Sequence, residues 1–441
     1  MSITVFRKHP GRPTFLPLHI LTCAILIGAI YPAVASTSCV KPGGKSGCFS
    51  TIGAAVAAAS PGSKIRVEPG TYKENVIIGK ALSLIGTDSR NTIIDATGLP
   101  NGLNINGVEN PGLRNVFVSG FTIENANFEG VLVTNASNVS ITDNRILDND
   151  KSLSIGTDTS CPGQPPFESG EDFDCGEGVH LMGISYSTVA DNIIEGNSGG
   201  ILLSDDTGQT HDNLVTRNTV KDNPFDCGIT LASHAPALGS NAPHLGIVRN
   251  TIADNKSIHN GYEAPGAGAG VGIFADGSGL GLVSKNLIIH NELLNNGIPG
   301  IAFHSHVGPN FGLPADDLND NVILFNHLSG NGADVGDTPT NGPTGININS
   351  GAGGTPITGN IFWGNVIENE AVDINVNTPG DVEFHFNDLF GDEVGVENLG
   401  TGSVDAINNW WGCPTGPSSP KCSSVNGTGI TFIPFLRHPF L

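Results

Sequence analysis

From about residue 120 the chain repeats one pattern: a short strand-forming run, an Asn, an Ile or Val two residues on, a second Asn, and then Gly-Ile or Gly-Val. The segments SNVSITDNRILDND (137–150), STVADNIIEGNSGGILL (187–203), LVTRNTVKDNPFDCGITL (214–231), GIVRNTIADN (246–255), LVSKNLIIHN (282–291), DLNDNVILFN (317–326) and TPITGNIFWGN (355–365) all carry it. One Asn column reads Asn144, Asn192, Asn218, Asn250, Asn286, Asn321, Asn360 and Asn387. Five residues on, a second reads Asn149, Asn197, Asn223, Asn255, Asn291, Asn326 and Asn365. Gly-Ile/Val strands begin at Val131, Val179, Ile201, Ile229, Ile273, Ile301 and Ile346, with a further candidate at Val372. Apolar and polar positions alternate over only four to six residues, which is a strand period and not a helical one. A strand so short cannot bury its face alone. Stacked coils of at least three strands solve this with a continuous inner core and parallel sheets around it. In this reading the recurring Asn is scaffold, since Asn tolerates left-handed backbone and its amide can bond the same residue one coil above.

Composition excludes other classes. With 42 acidic against 20 basic side chains and a formal charge of -22, the chain lacks the basic footprint of a nucleic-acid binder. Hydrophobic residues at 38% exclude a disordered acidic tail, and 60 glycines with 28 prolines favour many turns over long helices. Arg7, Lys8 and Arg12 precede the apolar run Leu16 to Val34, and Ala33-Val34-Ala35 fits a cleavage site, so residues 1–35 read as a secretion signal. No later stretch approaches the roughly 18 apolar residues of a membrane span. The expected location is extracellular or periplasmic, where cysteines oxidise. Short loops suggest bridges Cys39 to Cys48, Cys161 to Cys175 and Cys413 to Cys422, leaving Cys227, which can alternatively pair with Cys161 or Cys175.

Two terminal segments add a resemblance. FSTIGAAVAAASPGSKIRVEPGTYKENVII (49–78) looks like the start of pectin-esterase-type helices, and INNWWGCPTGP (407–417) like a terminal motif of secreted β-helix proteins. Over essentially all of the mature sequence the chain resembles the right-handed parallel β-helix proteins of the pectin-lyase-like superfamily. The resemblance implies an all-β, single-domain right-handed parallel β-helix of three-stranded coils with a short N-terminal capping helix. Expected boundaries are a signal at 1–35, an N-terminal cap at 36–64, the β-helix at 65–406 and a C-terminal cap at 407–441. Ser50 is expected to cap a helix with Ile52, Ala55, Val56 and Ala59 on one face, and Trp410 and Trp411 to cover the last coil. The repeat is also similar to that of copper-site accessory proteins of the periplasm. The fold alone does not select an activity. The catalytic signatures of pectin esterases, polygalacturonases, mannuronan epimerases and calcium-dependent pectate lyases are absent, so no family's catalytic residues carry over.

Geometry supplies a candidate site. In each Gly-Ile/Val strand the aliphatic residue and the one two later point inward, so the residues between and beyond them point outward. That places Leu202, Ser204 and Asp206 on one coil, Thr230, Ala232 and His234 on the next, then Phe274 and Asp276, then Ala302, His304 and His306, then Asn347 and Asn349. Coils stack about 4.8 Å apart, so Asp206, His234, Asp276, His304 and His306 are expected along one edge of one sheet as catalytic candidates. His211, next to Asp212, and His244 enter nearby and, with Asn347 and Asn349, are expected to bind substrate. Segments 150–177, 256–271 and 327–344 are expected as insertions walling this sheet into a groove. The expected partner is a polysaccharide or oligosaccharide, cut or modified by proton exchange through His234 between Asp206 and Asp276. Two other readings use the same residues: a non-catalytic glycan-binding or surface protein, or a periplasmic metal-handling accessory protein with Asp276, His304 and His306 as ligands. Calcium is a possible cofactor, for which Asp172, Asp174 and Glu177 offer carboxylates.

Overall fold

A computed structural model describes residues 35–150, 176–234, 246–263, 268–275, 280–305, 315–336, 338–351, 354–390, 393–417 and 419–441. Their strands form three long sheets of 14, 12 and 11 strands and one short sheet of three. Each long sheet takes one strand per coil. One coil, for example, runs Val131–Thr134 in the 12-stranded sheet, Ser137–Thr142 in the 14-stranded sheet and Arg145–Leu147 in the 11-stranded sheet. Every pairing between successive coils is parallel, so like residues stack: Val131 on Val179, Val179 on Ile201, Ile201 on Ile229 and Ile229 on Val271. These aliphatics fill the interior with no exposed surface or nearly none. Toward the C-terminus Phe303, Phe362 and Phe384 take over, with ring centroids 5.8 and 4.6 Å apart. The strand expected to begin at Ile273 begins two residues earlier, at Val271, and places Ile273 against Leu231.

Both ends of the core are covered. The helix Ile52–Ala58 buries Ile52, Ala55 and Val56. Its cap is Thr51 and not the expected Ser50: the Thr51 side chain accepts from the Ala54 N–H at 3.2 Å. Glu74 accepts from the Ile52 and Gly53 N–H groups, both at 2.8 Å, and so satisfies orphan donors of the first turn. At the far end Trp411 is fully buried and packs edge-on to Phe432. Disulfides Cys39–Cys48 and Cys413–Cys422 form as expected. Cys227 is unbridged, while Cys161, Cys175 and residues 1–34 of the expected signal lie outside the described residues.

The Asn columns are hydrogen-bonded ladders, but their register differs from the sequence reading. Asn144, Asn192 and Asn218 continue to Asn255, Asn291, Asn326, Asn365, Asn387 and Asn409. Asn149, Asn197 and Asn223 continue to Asn260, Asn296, Asn331 and then Glu370. A third ladder begins at Ser187 and runs Asn213, Asn250, Asn286, Asn321, Asn360. Within each middle coil the three members stand five residues apart, as in Asn286, Asn291 and Asn296. A five-residue slide therefore maps Asn onto Asn, and periodicity alone cannot fix which corner is which. The ladder Asn is also not the left-handed residue. That is its predecessor, as at Asp191 (φ 59°), Arg217 (φ 54°), Asp254 (φ 57°) and Phe325 (φ 53°). As a result of the slip, the expected insertions 256–271 and 327–344 in fact begin with ordinary third-sheet strands, Lys256–Ile258 and His327–Ser329.

Candidate active site

The outer face of the 12-stranded sheet carries the ionisable residues. Strand Val179–Met182 turns Val179 and Leu181 into the core, which sends His180 and Met182 outward; Met182 pairs with Ser204 on the next strand, Ile201–Ser204. Glu129 and Glu177 each precede their strand's first residue by two positions, and those residues, Val131 and Val179, are register partners. The two carboxyls therefore sit one above the other.

These side chains form one hydrogen-bonded series. His180 Nδ1 is 2.9 Å from Glu129 Oε1, and His180 Nε2 is 2.8 Å from Ser204 Oγ. Ser204 bonds Asp206, and Asp206 Oδ2 lies 3.2 Å from His234 Nδ1. Asp205 turns the other way and holds the strand end: it accepts from the His234 N–H at 2.8 Å, the Ser233 hydroxyl at 2.9 Å and the Gly246 N–H at 2.7 Å. His234 is thus fixed through both its backbone and its ring.

Environment drives the carboxyls apart. Burial would raise Asp206, but the charge of His234 and hydrogen bonds from His234 and Ser204 outweigh it and hold the group at about 2. Burial dominates at Glu129, whose carboxyl is raised despite the opposing hydrogen bond and charge of His180. It also raises Asp205 against the Gly246 and His234 N–H bonds. Burial thus favours the neutral form at Glu129 while the charge of His234 favours the ionised form at Asp206, so two carboxyls joined through His180 and Ser204 are pushed in opposite directions.

The expected residues are distributed unevenly. Asp206 and His234 are brought into contact as neighbours on successive coils. His304 stands in register with Phe274 and Ser204, two residues short of the Asp206 level. Phe274 spans that gap, meeting His234 edge-on at 6.1 Å and His304 at 5.4 Å. Asp206, His234, His304, Asn347 and Asn349 are all buried, so they do not line an open groove. Asn347 donates to the Thr338 carbonyl at 3.0 Å and accepts from Asn375 at 2.8 Å, and Asn349 accepts from the Gly351 N–H at 3.1 Å. His211 belongs to the short three-stranded sheet, where it pairs with Asp212 at 2.6 Å beside Arg249. Asp276, His306, His244, Asp172 and Asp174 lie outside the described residues. Glu129 and His180 were not anticipated from the sequence. The rule that places Asp206 outward, applied one coil earlier at Val179, points to His180, and the shared offset before Val131 and Val179 pairs Glu129 with Glu177.

Comparison with known proteins places the chain among stacked-coil families. The family described as right handed beta helix region matches residues 81–242, and that described as periplasmic copper-binding protein (NosD) matches residues 168–415. No curated protein matches the sequence. Among solved structures, alginate lyase from Paenibacillus sp. str. FPU-7 is 13% identical with a TM-score of 0.41, over 90% of this chain and 99% of that one. The catalytic unit of GH87 alpha-1,3-glucanase from Streptomyces thermodiastaticus strain HF3-3 is 16% identical with a TM-score of 0.49, over 87% and 65%. The Azotobacter vinelandii mannuronan C-5 epimerase AlgE4 A-module is 14% identical with a TM-score of 0.41, over 88% and 94%. Likeness at this level does not choose an activity.

Proposed function

Because this chain belongs to the periplasmic copper-binding protein (NosD) family yet converges no sulfur donors for copper(I) among its described residues, we propose that its 12-stranded sheet is an acid–base site acting on a polysaccharide or oligosaccharide outside the cytoplasm. Copper(I) favours sulfur ligands. Here Cys227 is occupied with the Ala269 N–H at 3.2 Å, and Met182, the one described methionine, converges with no second sulfur. No step through copper is therefore derived. The two disulfides support an oxidising compartment, and no helix among the described residues is long and apolar enough to cross a membrane.

The observation that carries the reading is the Asp206–His234 pair. Asp206 remains ionised and takes the Nδ1 side of the ring, the arrangement by which a carboxylate prepares a histidine to exchange protons. The carboxylate fixes the tautomer and stabilises the imidazolium that forms. Phe274, partly exposed beside both histidines, offers the apolar ring face on which a sugar can stack.

The test is a product assay of the mature protein on neutral and uronate polysaccharides, reading reducing ends and unsaturated-product absorbance. Asp206→Asn and His234→Ala should each lose about a hundredfold in turnover, measured on variants whose unfolding is still cooperative. Absence of turnover in the wild type, or turnover indifferent to both substitutions, would end this reading and favour a non-catalytic protein.

A further inference from the structure

We propose that Glu129, Glu177 and His180 form a binding site for a divalent cation of the zinc type, distinct from the Asp206–His234 pair and unsuited to copper(I). The three residues are fully buried or nearly so, and one ligand atom from each lies within 4.8 Å of the others. Glu129 Oε2 is buried with no hydrogen-bond partner, although the Glu177 carboxyl stands beside it. Two carboxyls packed together away from water need a proton or a cation between them. Two glutamates and one dication balance in charge.

Geometry favours the ion. A four-coordinate zinc about 2.0–2.2 Å from its ligands holds them roughly 3.3 Å apart, so small rotamer adjustments close the present triangle. His180 is oriented as a metal ligand is: Nδ1 faces the carboxylates, and Nε2 is held at 2.8 Å by Ser204 Oγ, which is itself bonded to Asp206. A partner of this kind on the far nitrogen fixes ring and tautomer in metal sites. Two oxygens and one nitrogen suit zinc or manganese, whereas copper(I) takes thioether or thiolate. A bound cation would also position His180 and, through Ser204, Asp206. The site nonetheless stands or falls on its own ligands, not on glycan turnover.

The experiment strips the mature protein with a chelator, reloads it with zinc, desalts it and measures metal content, melting temperature and the zinc X-ray absorption edge. Expected are one zinc per chain, a melting temperature a few degrees above that of the stripped protein, and a first shell of nitrogen and oxygen only. Glu129→Gln and Glu177→Gln keep shape while removing charge; both should lose the zinc and its thermal response, whereas Asp206→Asn should keep them. Substoichiometric zinc in the wild type, full zinc in the Glu129→Gln/Glu177→Gln double variant, or sulfur in the first shell would overturn the proposal. The absorption measurement needs no variant, so it decides even if a substitution prevents folding.

Discussion

Asn291→Ala should lower stability by about 4 kcal/mol, a large fraction of what a single domain has to lose. Asn291 sits mid-ladder and is buried. Its Oδ1 accepts from the Asn255 N–H at 3.0 Å and Asn255 Nδ2 at 3.1 Å, while its Nδ2 donates to the Ile252 carbonyl at 2.9 Å and Asn326 Oδ1 at 2.9 Å. Alanine strands the Asn255 N–H without water to replace the lost partner, at about 1–3 kcal/mol, removes the amide's bonds to the Ile252 carbonyl and Asn326 Oδ1, and leaves a small void in addition. Asn291→Asp should do no better, because it keeps the acceptor but replaces the donor with an oxygen that faces two oxygens. Lys256→Ala provides the contrast: it removes a 2.7 Å ion pair with Glu292 between half-exposed side chains and should cost less than about 1 kcal/mol. Denaturant midpoints of the variants check this. A midpoint for Asn291→Ala within about 1 kcal/mol of wild type would show that the ladders are not what holds the coils together.

Glu370→Gln should act in the opposite direction and only at neutral to alkaline pH. Glu370 takes the place of the next Asn in its ladder, accepting from the Asn331 N–H at 3.0 Å and Asn331 Nδ2 at 2.9 Å through Oε1, while Oε2 has no partner. Burial pushes the carboxyl up to about 7, against the pull of the two Asn331 bonds. The folded protein therefore holds a proton that the unfolded chain, with its carboxyl at 4.5, releases. Stability linked to this group is full below about pH 4.5, falls as pH rises toward 7 and is lower by about 3 kcal/mol above it. Glutamine mimics the protonated form. The variant should match wild type at pH 4 and exceed it by about 3 kcal/mol at pH 8, as read by unfolding at both values. Equal stability at pH 8 would mean that Glu370 ionises as easily in the fold as in the unfolded chain.

The fold was legible because its cause is local and repeated: alternation over a few residues, Asn at each corner, and a Gly-Ile/Val strand. What the repeat could not supply was absolute register. Asn218 stacks under Asn255, not Asn250, because the sequence offers Asn at both and only the strand Ile229–Ser233 and its neighbours distinguish them. The left-handed corner was misassigned for a related reason. Arg217, His259 and Phe325 are unlikely-looking occupants, and they are held there by the ladder residue that follows each of them. At the site, the Asp206–His234 contact followed from strand alternation alone. Burial did not, since whether an outward side chain meets water depends on chain that packs over the sheet from distant parts of the sequence. Glu129 and Glu177 are 48 residues apart, and only coil stacking makes them neighbours.

Three corners that repeat every five residues also shape the folding landscape. A coil that docks one pentad out of place still matches Asn with Asn at two corners, and loses only the fit of its Gly-Ile strand. Such stacks are low-lying traps on the way to the native order. Refolding from denaturant is expected to regain strand signal well before Trp411 reaches its buried place on the final coil, with a slow phase in tryptophan fluorescence as misdocked coils undock and re-form. Coincident recovery of both signals would mean that the strands, and not the corners, choose the register from the start.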